Sequence, residues 1–64
     1  MVKVNGEPRE VDGITLSALF KQDNLNVMRI AAELNGSIVK RSEYSSTVLR
    51  DGDILEVVHF VGGG

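Results

Sequence analysis

The stretch Asp51-Gly-Asp-Ile-Leu-Glu-Val-Val-His-Phe-Val-Gly-Gly-Gly64 closes the sequence, and its reading decides the fold. Residues 54–61 are rich in branched and aromatic side chains and form the most β-prone segment of the chain. Alternation along a strand places Ile54, Glu56, Val58 and Phe60 on one side and Leu55, Val57, His59 and Val61 on the other. A sheet with one solvated face alternates apolar and polar residues. Here both rows are mainly apolar, so one row belongs to the core and the other looks outward. We assign Leu55 and Val57 inward, and Val58 and Phe60 outward beside the chain end. Exposed apolar patches mark interfaces, which makes Val58 and Phe60 a candidate partner-binding face. The competing reading has Phe60 folded over the sheet edge, or covered by the segment 40–47.

Working outward, turn dipeptides divide the rest of the chain. Asn5-Gly6, Asp12-Gly13, Asn35-Gly36 and Asp51-Gly52 all pair a residue that tolerates positive φ with glycine. The first turn joins a strand over 1–4 to a return strand over 7–11, and Pro8 confines that return strand to a sheet edge. Thr15 is suited to N-cap a helix over 16–23, in which Leu16, Leu19 and Phe20 make one apolar stripe. A further strand is expected over 28–34, with Ile30, Ala32 and Leu34 on one face, and a short strand over 37–39 after the Asn35-Gly36 turn. The polar stretch 40–47, around Tyr44, reads as a loop with a single helical turn.

One helix between two hairpins in so short a chain can cover only one face of one mixed sheet. The expected class is therefore α+β, a mixed four- to five-stranded sheet with one main helix packed on one face; the order of elements, with a central parallel pair, resembles the β-grasp of ubiquitin-like domains. Residues 1–61 are expected to form a single domain, and 62–64 a flexible C-terminal glycine tail.

Composition narrows the function. The chain has 64 residues, no cysteine, one histidine and a net charge of −2 from nine acids against seven bases. A domain this small has one modest core and little room for a walled active site. Disulfides, thiolate chemistry and cysteine metal sites are excluded, and the lone His59 rules out a multi-histidine metal site. No basic patch tracks a phosphate backbone, so no nucleic acid is expected as a partner. No apolar run exceeds three residues, and the first ten residues lack a signal-peptide core, so no membrane and a cytoplasmic location are expected. Asp51 and Asp53 lie in a turn, and no serine has the base that nucleophilic catalysis needs. No catalytic residue is assigned.

Gly62, Gly63 and Gly64 remain. Three residues without Cβ give a strip of bare backbone able to enter a slot that admits nothing wider. Extended, the last four residues reach about 13–14 Å, enough to carry a terminal carboxylate into another protein's active site. A frayed end or cloning remnant is the bland alternative.

The ending resembles that of the ThiS family of thiamine-biosynthesis sulfur carriers: the Asp51-Gly-Asp53 turn, the apolar strand, the Val58-His-Phe-Val61 run and the final glycines. Asn35-Gly-Ser-Ile-Val-Lys-Arg41 resembles the family's central turn and following strand. The resemblance is strongest over 51–64 and weak over the first 27 residues, and many relatives stop at two glycines rather than three.

The resemblance implies a protein co-substrate and no enzyme, a monomer when free. A ThiF-like adenylating enzyme would use ATP and magnesium to activate the Gly64 carboxylate, with Gly62 and Gly63 inside its active site. Sulfur from a cysteine persulfide would displace AMP and give a thiocarboxylate, which a ThiG-like thiazole synthase would consume. This chain would itself bind no cofactor and no metal. Two other readings stay open: a molybdopterin-synthase small-subunit-like or other sulfur carrier, and a ubiquitin-like modifier or interaction module.

Overall fold

The computed structural model describes residues 1–60. The element order is β1 (Val2–Val4), β2 (Glu7–Arg9), α1 (Leu16–Gln22), a 3-10 turn (Val27–Arg29), β3 (Ile30–Leu34), β4 (Ser37–Val39), a second 3-10 turn (Arg41–Glu43) and β5 (Ile54–His59). The strands form one five-stranded sheet in the order β2-β1-β5-β3-β4. β5 is central, parallel to β1 through Lys3↔Ile54 and Val4↔Leu55, and antiparallel to β3 from Ile30↔His59 to Leu34↔Leu55. The expected β-grasp and its central parallel pair are both present, and Pro8 lies on an edge strand.

Local signals explain the elements. Thr15 has extended backbone, and its hydroxyl accepts from the Ala18 N–H at 3.1 Å, satisfying one of the free amides at the start of α1. The Asn5-Gly6 and Asn35-Gly36 pairs have φ of 50° and 85°, and 54° and 85°. Positive φ at both central residues is what tight hairpin turns between right-twisted strands require. α1 buries Leu16, Leu19 and Phe20 against Val2, Ile30, Ala32 and Leu55 of the sheet, in one cluster completed by Val11, Tyr44 and Leu49.

Six boundaries or assignments differ from the sequence reading; two are single-residue shifts, β1 starting at Val2 instead of 1 and α1 ending at Gln22, with Asp23 as its C-cap, instead of 23. The return strand ends at Arg9 instead of 11, and beyond it Val11 is buried in the core cluster. β3 starts at Ile30 instead of 28: the Asn26 side chain accepts from the Met28 N–H at 3.0 Å, winds Val27–Arg29 into a 3-10 turn and leaves Met28 exposed. β5 ends at His59, although the Phe60 N–H still donates to the Arg29 carbonyl at 2.8 Å. The polar segment 40–47 has its helical turn, but it also delivers Tyr44 to the core. There the ring meets Phe20 edge-on, with centroids 5.0 Å apart and planes at 77°.

Candidate partner-docking face

β5 presents its two apolar rows to different environments. Leu55 is fully buried and Val57 half-buried against the core, whereas Val58 and Phe60 are 59% and 51% exposed. The row assignment read from the sequence is the one observed. Phe60 is not folded out of sight over the edge, and segment 40–47 turns its aromatic side chain into the core instead of covering the outer face.

Sheet register enlarges this face beyond the two residues singled out. Val58 stands opposite Ala31, and Glu56 opposite Glu33, which in turn faces Ile38 across β3 and β4. Ile38 is 76% exposed, the most open large apolar side chain among the described residues. Its place on a three-residue strand beside half-buried Val39 was the available signal, and sequence reasoning passed over it. Two shallow grooves share Ala31, Ala32 and Ile38. One of about 110 Å3 continues to Glu33, Glu56 and Val58, and one of about 290 Å3 to Lys40, Arg41 and Phe60.

β5, which carries Val58 and leads into Phe60, is held by asparagines on both flanks. β1 ends at Val4, and there the Asn5 side chain takes over the ladder: its Oδ1 accepts from Val57 N–H at 2.8 Å and its Nδ2 donates to Val57 C=O at 3.3 Å. On the other flank, Asn35 Oδ1 accepts from Ile54 N–H at 2.8 Å, while its Nδ2 donates to Asp53 Oδ1 at 2.9 Å. The two side chains act as additional backbone pairing groups and fix the path of β5 where its neighbours turn away.

The opposite side of the molecule holds a cavity of about 310 Å3, lined in part by Val4, Arg9, Phe20, Asp23, Val57 and His59. Arg9 spans its rim with a two-pronged bond to Asp23, at 2.7 and 3.0 Å. The guanidinium holds the Asp23 carboxyl below the usual carboxylate range, outweighing the opposite effect of burial. The pair is a structural tie between β2 and the end of α1, and both its charges are engaged. Among the described residues no group of three or more His, Cys, Asp or Glu could hold a metal ion, and no helix is long and apolar enough to cross a membrane. The remaining expected site residues, Gly62, Gly63 and Gly64, lie outside the described residues, as does the end of the expected domain at 61.

Comparison with known proteins gives a consistent result. The ThiS family model matches residues 2–64. The sulfur carrier protein ThiS of Thermus thermophilus is 38% identical over 64 residues, covering all of both chains. A thiazole synthase of Magnetococcus marinus is 39% identical over 64 residues, 98% of this chain but only 20% of that protein, so the chain spans about a fifth of its length. Among solved structures, the crystal structure of the thiamine biosynthesis protein ThiS from Geobacter metallireducens superposes with a TM-score of 0.80 at 33% identity, covering 98% of this chain and 97% of that one.

Proposed function

The chain belongs to the ThiS family, and from that premise we propose that it carries sulfur for thiamine biosynthesis on its Gly64 carboxylate. The observation that carries this reading is the end-to-end likeness to a sulfur carrier of the same length, on a matching fold. A carboxylate is a poor acyl electrophile, and transfer of AMP from ATP by a magnesium-dependent, ThiF-like partner supplies a leaving group. The terminal sulfur of a cysteine persulfide attacks the adenylate carbonyl and expels AMP. A thiol then cleaves the S–S bond, leaving a thiocarboxylate whose sulfur is nucleophilic at neutral pH. In this reading Gly62 and Gly63 thread the partner's active site, while Val58 and Phe60, with Ile38, dock the domain. The chain supplies the acyl group and the address; the partners supply the chemistry.

Thiazole synthase is the proposed acceptor of the sulfur. In Magnetococcus marinus a protein named thiazole synthase contains a region 39% identical to this chain. Such a covalent joining raises the local concentration of carrier at synthase, an arrangement useful only if the two meet.

Truncation tests the mechanism. Removing Gly63 and Gly64 withdraws the carboxylate by about 3.3–3.6 Å per residue. Displacement of ~1 Å already costs on the order of 100-fold where reaction depends on positioning. ATP–pyrophosphate exchange by the partner enzyme should vanish, and intact mass should show no replacement of oxygen by sulfur, while the thermal melt is unchanged. Adenylation of the truncated chain at the full-length rate would refute the carboxylate-carrier reading.

A further inference from the structure

Phe60 is tied to the sheet through its backbone N–H, and two side chains brace the acceptor. The Phe60 N–H donates to the Arg29 carbonyl at 2.8 Å, one step beyond the Ile30↔His59 pair at the end of the β3–β5 ladder. Arg29 is the last residue of the 3-10 turn Val27–Arg29. Within that turn the peptide group joining Val27 to Met28 is held at both ends by side chains. Its N–H donates to Asn26 Oδ1 at 3.0 Å, and its C=O accepts from Arg41 Nε at 3.0 Å. The Arg29 N–H closes the turn on the Asn26 carbonyl at 2.9 Å. Arg41 stands on a fixed base, because its own carbonyl accepts from the N–H of Tyr44 at 3.2 Å and Tyr44 is buried in the core.

We infer that Arg41 is a positioning residue. By holding the 27–28 peptide it aims the Arg29 carbonyl at Phe60, and so sets where and in which direction the final four residues leave the sheet. The inference rests on the carrier reading and adds to it the side chain that gives the terminal segment a defined start. The bond at the Phe60 N–H fixes the plane of the 59–60 peptide, and covalent geometry passes that direction on to residue 61. Without it the last fixed point retreats to the Ile30↔His59 pair, and the reacting carboxylate starts from a wider spread of positions. Arg41 acts here as a hydrogen-bond donor through Nε, and its charge has no part in the arrangement.

Three substitutions at Arg41 separate the bond from the charge. Arg41→Gln puts an uncharged amide nitrogen as many bonds from the backbone as the arginine Nε. Arg41→Lys keeps the charge but has a methylene at that place, and Arg41→Met has neither donor nor charge. Amide hydrogen exchange reads the brace without any partner. Protection of Phe60 should fall by on the order of five- to ten-fold in the Met and Lys variants and be kept in the Gln variant, with Val57 unchanged in all three. Asn26→Ala frees the other end of the same peptide group and should lower Phe60 protection as Arg41→Met does. In ATP–pyrophosphate exchange by the adenylating partner, kcat/KM should fall by on the order of ten-fold for Met and Lys and stay near wild type for Gln. Undiminished Phe60 protection in Arg41→Met would show that no brace exists. Lost protection with adenylation at the wild-type rate, or rescue by Lys and not by Gln, would overturn the positioning role. In these cases the carrier reading stands, because the wild-type chain is adenylated. A wild-type chain that is not adenylated at all defeats the carrier reading, and this inference falls with it.

Discussion

Asn5, Asn24 and Asn35 offer a matched set: all three are exposed, with φ of 50°, 57° and 54°. Replacing each by glycine relieves the positive φ, which costs a non-glycine residue roughly 1 kcal/mol. It also increases the backbone entropy lost on folding by roughly 0.5–1 kcal/mol. These effects oppose one another and are common to the three positions. What differs is the side chain's bonding. Asn5 makes the bonds of 2.8 and 3.3 Å to Val57, and Asn35 those of 2.8 and 2.9 Å to Ile54 and Asp53. The Asn24 side chain makes none within the described residues. At about 0.5–1.5 kcal/mol per bond, with the long Asn5 bond at the weak end, Asn5→Gly should cost about 1.5 kcal/mol. Asn35→Gly should cost a similar amount or slightly more, and Asn24→Gly should stay within about 0.5 kcal/mol of wild type. For a domain of this size, 1.5 kcal/mol lowers the melting temperature by roughly 6–12 °C. Urea and thermal melts give the totals, and amide hydrogen exchange at Val57 and Ile54 gives the local effect, which should be confined to the clamped residue in each variant. Equal losses at all three positions would show that turn conformation alone matters and that the side-chain clamps on β5 contribute nothing.

Three further outcomes follow from the packing and charges. Because Arg9 lowers the Asp23 carboxyl, the stability this pair contributes is complete above the unfolded value of about 3.9 and is lost as pH falls through the folded value. Urea melts from neutral pH to about 3 should therefore show a decline that Asp23→Asn flattens; an unchanged slope would mean the pair contributes nothing. Tyr44→Ala, which empties the space beside Phe20, should cost about 3–5 kcal/mol, whereas Tyr44→Phe keeps the edge contact and should stay within about 1 kcal/mol by the same melts. Phe60→Asp, at a position 51% exposed, should leave the melt unchanged and weaken association with the adenylating partner by about 2 kcal/mol in a titration, whereas unfolding would place Phe60 in the core.

The sequence by itself determined the local geometry. Alternation in 54–61 marked a strand with two apolar rows, observed over Ile54–His59, Thr15 marked the helix start, and the Asn-Gly pairs marked the hairpins. Each of these signals acts within a few residues, through φ preference, capping or side-chain period. The family resemblance, strongest over 51–64, supplied the proposed function that no constellation of side chains announced. Tertiary structure decided the rest, because it depends on register between distant segments. Asn5 finds Val57 across 52 positions, Glu33 faces Glu56, and Tyr44 leaves a polar stretch to close the core beside Phe20. A one-residue slip of β3 against β5 would preserve every local signal and abolish the Glu33–Glu56 pairing. Periodicity fixes which residues share a side of a strand, but only the register of the assembled sheet fixes what stands across from them.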